Sequence, residues 1–472
     1  MNIVLTTAPS VNDKHGVRSL PPLSIGYIAG GVKHLRDTSV GIVDAYGEGL
    51  SLADSVERVL ALSPDVMGVS ATNVCFEDAI SLVRRVKQAK PDVVTVMGGY
   101  HPTSHDHLLL KEVRELDMVI RGEGDESFRE LCERLQHSDP IDGLAGLSYR
   151  AEGMVVRGVP RQVEDLDSLP FPDRAALDFA GYYSQFGGFL VPEHAPTANV
   201  VSSRGCPYHC VFCSKLMPNW SYRTRSAENL FKEILELRAQ GIKWIFFQDE
   251  NFSHDVARLE KLCRLILDNN LGMRFMFQGT IHHLTEPVFR LMHDAGFDFF
   301  LVGIESGSDA QLKRFGKPAR SKNLGAAVRR AKKAHMMVFG FFVHGGPGET
   351  EEDFAETVKF VREVRPHAVG GEGLWLHAGS PLWAELVGDE EVQTLEATRP
   401  RALYKLPGQT NRETLERRIG LFQEALAKSW LHWTRILEIV DLFIHNGTFR
   451  YIALRVLWNV RIWSQLLRGG PK

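Results

Sequence analysis

At 472 residues the chain is too long for one ordinary domain, so two or three are expected. Its 44% apolar and 24% charged content suits globular domains, and a formal net charge of -3 offers nothing to a nucleic acid. Six cysteines in this length make no disulfide framework, no run reaches the roughly 18 apolar residues of a membrane span, and the first residues read as a strand rather than a leader, so a reducing, cytoplasmic setting is expected.

From Asn2 to about Gln136 short apolar runs alternate with amphipathic stretches, as βαβ units do. Strands are expected at Ile3–Leu5, Val40–Val43, Val66–Ser70, Val93–Met97 and Met118–Ile120. Helices fit Leu52–Leu62 and Glu77–Lys90, the second stopping before Pro91. This is the pattern of a doubly wound, Rossmann-like parallel sheet, whose ligands sit at the carboxyl ends of the strands. Those ends carry Asp44-Ala45-Tyr46-Gly47-Glu48-Gly49, Ser70-Ala71-Thr72, Gly98-Gly99-Tyr100-His101-Pro102 and Arg121-Gly122-Glu123-Gly124-Asp125-Glu126. No G-x-G-x-x-G follows the first strand, which argues against a nicotinamide dinucleotide.

Residues 141–195 break the rhythm, with Gly-rich short strands followed by Leu169-Pro170-Phe171-Pro172-Asp173-Arg174, and read as a linker. A second βα series fills residues 196–380. Its strands are expected at Asn199–Ser202, Trp244–Gln248, Arg274–Gln278, Phe299–Gly303, Met337–His344 and Ala368–Leu376, and its helices at Ala227–Gln240, Ala257–Asn269, Glu286–Ala295, Leu324–His335 and Glu352–Val364. Six units in a row suggest a partial (β/α)6 barrel with functional loops on its C-terminal rim. Residues 381–472 read as a helical region. Between Leu431 and Leu467 it mixes apolar residues with Trp433, Trp458, Trp463, Arg450, Arg455 and Arg461, which suits a helical cap, a substrate lid or peripheral contact with a membrane.

Directly after the first strand of the second series stands Cys206-Pro207-Tyr208-His209-Cys210-Val211-Phe212-Cys213. Three thiolates leave one corner of a four-cornered site open, whereas a closed zinc site needs four ligands. A zinc knuckle borrowing His209, or three unrelated thiols, are the alternatives. The spacing, with Phe212 before the last cysteine, resembles the signature of the radical S-adenosylmethionine (SAM) superfamily. The resemblance implies a 4Fe-4S cluster on Cys206, Cys210 and Cys213 whose open iron binds S-adenosylmethionine and cleaves it to a 5'-deoxyadenosyl radical. Further matches lie at later strand ends. Gln248-Asp249-Glu250-Asn251-Phe252 is similar to the patch that receives the amino group of S-adenosylmethionine, with Glu250 as its carboxylate, or else it is a helix cap. Gly303-Ile304-Glu305-Ser306-Gly307 resembles the ribose-binding segment, and Phe342-Val343-His344-Gly345-Gly346-Pro347-Gly348-Glu349-Thr350 resembles a loop closing around adenosine, its glycines serving the turn.

The strand ends of the first series resemble cobalamin-binding domains, whose pattern is D-x-H-x-x-G, then S-x-L or S-x-T, then G-G. Asp44, Gly47, Ser70, Thr72, Gly98 and Gly99 match it, with Gly122 and Glu123 at the next strand end. Tyr46 stands where the family's cobalt-ligating histidine would be. The resemblance therefore implies a cobalamin without an imidazole below the metal, with Asn73 and Val74 placed to face it. His101 is expected to make a hydrogen bond in the tail-binding loop. An empty Rossmann-like sheet is the alternative.

Together these features resemble the cobalamin-dependent radical SAM enzymes, which include many C- and P-methyltransferases and the anaerobic magnesium-protoporphyrin ester cyclase. The resemblance implies methyl transfer from methylcobalamin to an unactivated carbon of a small-molecule substrate, such as a secondary metabolite or cofactor. Electrons would come from a donor such as flavodoxin or ferredoxin. Oxidative cyclisation or ring rearrangement, and a non-catalytic cobalamin sensor, are the alternatives.

Overall fold

The structure is a computed structural model that describes residues 1–9, 20–177, 185–186, 189–190, 197–214, 221–388, 393–406, 408–430, 434–450 and 453. Trp433, Arg455, Trp458, Arg461 and Trp463 lie outside the described residues. The chain divides into two compact units, one made of residues 1–182, 211–223 and 376–401, the other of residues 183–210, 224–375 and 402–472.

The first unit is a seven-stranded sheet. Strands β1 (Asn2–Thr7), β2 (Ser39–Val43), β3 (Val66–Ser70), β4 (Val94–Gly98) and β5 (Met118–Ile120) run parallel in the order β2-β1-β3-β4-β5. An antiparallel hairpin, β6 (Leu147–Ala151) and β7 (Met154–Arg157), extends the edge beyond β5. It lies within the stretch whose sequence suggested Gly-rich short strands. Helices α1 (Leu23–Val32) and α5 (Gly124–His137) cover one face through Ile25, Ala29, Phe128 and Leu131. Helices α2 (Leu52–Ala61), α3 (Phe76–Ala89) and α4 (Tyr100–Glu112) cover the other through Val59, Ile80, Val83 and Leu109. Leu395 joins this second core, and the Leu395 amide bonds Glu112 while Arg399 pairs with Glu77. The chain beyond residue 380 is therefore shared, its start packing with the first unit.

In the second unit six parallel strands follow one another in chain order: β8 (Thr197–Val200), β9 (Trp244–Phe247), β10 (Arg274–Gln278), β11 (Phe297–Glu305), β12 (Met337–His344) and β13 (Ala368–Gly373). This is the expected open (β/α)6 barrel. Helices α6 (Ala227–Ala239), α7 (Val256–Asp268), α8 (Glu286–Asp294), α9 (Asp309–Arg314), α10 (Ser321–Lys333) and α11 (Glu351–Val364) connect them. Its core is a stack of phenylalanines, with the rings of Phe247 and Phe252 4.4 Å apart and those of Phe275 and Phe297 4.9 Å apart. The last strand is shorter than expected: the Leu374 amide donates to the His344 carbonyl as the final rung on β12, and a separate short strand, Trp375–Leu376, begins beyond it. Beyond a short helix α12 (Pro381–Leu386) come two longer helices, α13 (Arg412–Trp430) and α14 (Thr434–His445).

Buried cysteines outside the motif are packing residues. Cys132 and Cys263 are fully buried, and burial pushes each thiol up to about 12. Cys75 is half-buried and takes the Thr72 amide at 3.3 Å in the turn ahead of α3.

Candidate active site

The C-terminal ends of the barrel strands carry the predicted motifs. After β8 the chain is fastened before it enters the cysteine loop. Asp249, 1% exposed at the end of β9, accepts from the Ser202 amide at 2.9 Å, the Ser202 hydroxyl at 2.8 Å and the Ser203 hydroxyl at 2.5 Å. Arg258 of α7 donates to the Ser202 carbonyl at 2.7 Å. Burial, against the pull of Arg258 and the serines, raises the Asp249 carboxyl above its usual range. Asp249 is thus the anchor of the loop, while its neighbour Glu250 is exposed at the rim. Cys206 and Cys210 are half-buried and Cys213 is exposed, with half-buried Phe212 before it.

Glu305 ends β11 with φ at 65°, a left-handed conformation costly for a residue with a Cβ, at a register shift against β12. It is only 8% exposed, and Lys317 donates to its Oε1 at 3.1 Å. Lys317 is the main site residue that motif reading missed. Burial pulls its ammonium down, but Glu305, Cys210 and Cys206 outweigh burial and leave its pKa raised. The loop carrying it lies tight on the cysteine loop, since a Cβ on Gly316, whose φ is 67°, would sit 2.9 Å from the His209 carbonyl oxygen. A cationic side chain against two loop thiols suits a site that must hold thiolates.

Around the same rim, Tyr208 of the cysteine loop faces His254 and His282 at ring separations of 5.7 and 6.0 Å. His282 and His283 follow β10, and the His283 Nε2 meets the Ser253 carbonyl at 2.8 Å. Burial, then His283 and Lys317, lower His282 to about 4, so it is neutral near pH 7. The His-His doublet in the loop after a barrel strand was the available signal.

The glycine-proline loop is rigid by construction. Gly345 and Gly348 have φ of 70° and 62°, Glu349 accepts from the Gly345 amide at 2.8 Å, and Arg418 of α13 reaches Glu349 at 2.6 Å. Thr350 and Asp353 then form a capping box on α11. Gly307 serves packing, because a Cβ there would meet the Thr357 Cα at 2.7 Å. His344 is fully buried against Phe422 and Phe354, and burial with Arg418 nearby lowers it to about 4.

In the first unit the turn after β2 is tied to β1: Asp44 accepts from the Thr7 hydroxyl at 2.7 Å and the Gly47 amide at 3.1 Å. Tyr46 is left 44% exposed. Gly98 continues into Gly99, whose φ is 108° and whose missing Cβ would lie 2.5 Å from the Ala71 carbonyl oxygen. The Ser70 hydroxyl lies 3.3 Å from that of Ser24, and the Gly122 amide donates to Thr103 at 3.0 Å. Beside these ends opens a cavity of about 310 Å³ lined by Thr72, Asn73, Val74, Tyr100, Ser214 and His377. Val74 is 79% exposed at its edge. This floor of small, polar and exposed apolar groups fits a large flat cofactor such as cobalamin. His377, which the motifs did not single out, is the imidazole in the cavity. Its buried Nδ1 has no partner among the described residues, and burial lowers its pKa.

Two predicted residues are engaged inside the protein. Glu123 is held by Arg223 at 2.7 and 2.9 Å and by the Val163 amide at 2.7 Å. His101 is fully buried, stacked 3.8 Å from Phe76, with its Nε2 2.8 Å from the Thr398 hydroxyl. Burial and His105 lower its pKa from 6.5 to about 2. The folded state therefore binds fewer protons than the unfolded chain below pH 6.5, and stability falls on acidification. The expected slope from His101 is about 1.4 kcal/mol per pH unit below 6.5. Urea midpoints at pH 7 and 5 check this: His101→Gln, which keeps a polar side chain but cannot titrate, is expected to lose one proton's share of the slope, and an unchanged slope would contradict it.

Comparison with known proteins agrees with this geometry. The Radical SAM superfamily model matches residues 200–361, and the B12 binding domain model matches residues 17–132. An uncharacterized methyltransferase of Pyrococcus horikoshii is 29% identical over 93% of this chain and 94% of its own. The anaerobic magnesium-protoporphyrin IX monomethyl ester cyclase of Rubrivivax gelatinosus is 27% identical over 73% of this chain and 62% of its own. In fold, the chain is similar to the radical SAM methyltransferase TsrM of Kitasatospora setae with cobalamin and a [4Fe-4S] cluster bound, with a TM-score of 0.67 at 17% identity over 83% of this chain and 76% of that one. It is likewise similar to the cobalamin-dependent radical enzyme OxsB with aqua-cobalamin and S-adenosylmethionine bound, with a TM-score of 0.70 at 16% identity over 99% of this chain and 81% of that one. With a B12-binding domain ahead of a radical SAM domain, the chain belongs to the cobalamin-dependent radical SAM enzymes.

Proposed function

We propose that this enzyme methylates an unactivated carbon of a small molecule, a secondary metabolite or cofactor, in the cytoplasm, with electrons from a carrier such as flavodoxin or ferredoxin. The observation that supports this most is the shared rim of the second unit, where Cys206 and Cys210, Glu250 and the Lys317–Glu305 pair follow the ends of β8, β9 and β11. When bound, the cluster with S-adenosylmethionine supplies a 5'-deoxyadenosyl radical and cobalamin supplies a transferable methyl group.

The chain's own groups hold and orient these partners. Cys206, Cys210 and Cys213 would hold the cluster through their three thiolates. Glu250, exposed at the rim, pairs with the ammonium of S-adenosylmethionine. Lys317 occupies Oε1 of Glu305 and so presents Oε2 to the ribose hydroxyls. Thr72, Asn73, Val74 and Tyr100 form the cobalamin bed, and the absent Cβ of Gly99 lets the Ala71 backbone close in beside it.

Anaerobic incubation with methyl-deuterated S-adenosylmethionine and a reductant tests this. Label on the bound corrinoid together with S-adenosylhomocysteine is expected. The likeness to the cyclase favours oxidative cyclisation as the second reading, and 5'-deoxyadenosine without any S-adenosylhomocysteine would select it.

A further inference from the structure

On the second unit, away from the strand-end rim, three ligand-type side chains converge. Among the described residues, His335, Asp441 and His445 are the one group whose metal-binding atoms all lie within 4.8 Å of one another. His335 follows helix α10, while Asp441 and His445 are one turn apart on α14. The Nδ1 of His335 lies 2.8 Å from Oδ2 of Asp441, and the Nδ1 of His445 lies 3.1 Å from Oδ1. The two imidazoles stack at 4.3 Å with 27° between their planes, so both turn the same nitrogen toward one carboxylate.

We propose that His335, Asp441 and His445 bind a divalent transition-metal ion of the zinc class, which clips helix α14 to helix α10. Two imidazoles and a carboxylate suit zinc-class ions rather than magnesium or calcium, and the remaining corner of the tetrahedron is open to water. Metal-nitrogen distances of about 2.0–2.1 Å place ligand atoms about 3.4 Å apart, so small side-chain rotations close the present spread.

The surroundings prepare the site. His335 sits at φ 59°, where a helix usually ends on glycine, and Asn446 holds its carbonyl at 2.9 Å. The His293 Nε2 meets the His445 carbonyl at 3.1 Å. One turn away, Lys332 and Glu438 pair at 3.0 Å, joining the same two helices without ligating. The side chains are 34%, 40% and 46% exposed, so an ion can enter from solvent.

The test is an anaerobic calorimetric titration of the cluster- and cobalamin-loaded holoenzyme with zinc chloride, followed by zinc-edge X-ray absorption. One equivalent bound, surrounded by nitrogen and oxygen only, is expected, with slower tryptic cleavage of α14. Asp441→Asn, which keeps the shape and an oxygen, and His335→Ala/His445→Ala should each weaken zinc binding at least about 10-fold. Lys332→Ala should bind zinc as the parent does. A sulfur shell around zinc, absence of binding, or equal affinity in Asp441→Asn with unchanged circular dichroism would overturn the proposal.

Discussion

Cys210→Ala is expected to give a folded chain that holds no stable cluster and forms no 5'-deoxyadenosine above background. Cys206 and Cys210 are half-buried in a loop whose entry is fixed independently by Asp249 and Arg258, so the barrel survives loss of one thiol. Three thiolates are already one fewer than a closed cubane uses, and two leave a second iron unsupported. Cys206→Ala and Cys213→Ala should behave alike, whereas Cys132→Ala and Cys263→Ala should keep the cluster, since both thiols are fully buried elsewhere. Iron analysis after anaerobic reconstitution, with chromatography for 5'-deoxyadenosine, measures both outcomes. Full iron content in Cys210→Ala would show that the cluster is held by other groups.

Lys317→Met carries the second large effect. It would leave the Glu305 carboxylate, with side-chain exposures in the pair of 9% and 11%, without its cation. Breaking a buried pair from one side costs about 3–5 kcal/mol, because the remaining charge keeps its desolvation penalty. Glu305 also sits in a left-handed backbone, at 65°, that the pair helps to hold. Denaturant unfolding of the second unit should shift accordingly, and Glu305→Gln/Lys317→Met should recover part of the loss because both charges are then gone. A Lys317→Met variant as stable as the parent would remove the electrostatic role assigned to the pair.

Periodicity made both sheets legible. Val66–Ser70, Met118–Ile120, Arg274–Gln278 and Met337–His344 lie where the apolar runs place them, since buried parallel strands read as continuous apolar segments. The strand-end motifs were legible for the same reason, because the chain must turn there and the turn residues stand out. What local pattern cannot show is which distant group completes a contact. Lys317 lies 12 residues beyond Glu305, and Arg223 lies 100 residues beyond Glu123. The sharing of residues 376–401 with the first unit rests on Leu395, Thr398 and Arg399, separate anchors in a stretch without periodicity. His377 was invisible for a like reason: one histidine after a strand carries no sign of the cavity it lines.

That one chain carries both a radical-generating cluster and a cobalamin can be read from metal analysis together with the absorption spectrum of the anaerobically reconstituted protein. About four irons and one cobalt per chain are predicted, with a cluster absorbance that changes on addition of S-adenosylmethionine. Zinc in place of iron, or a chain that binds the cluster but retains no cobalt, would contradict it.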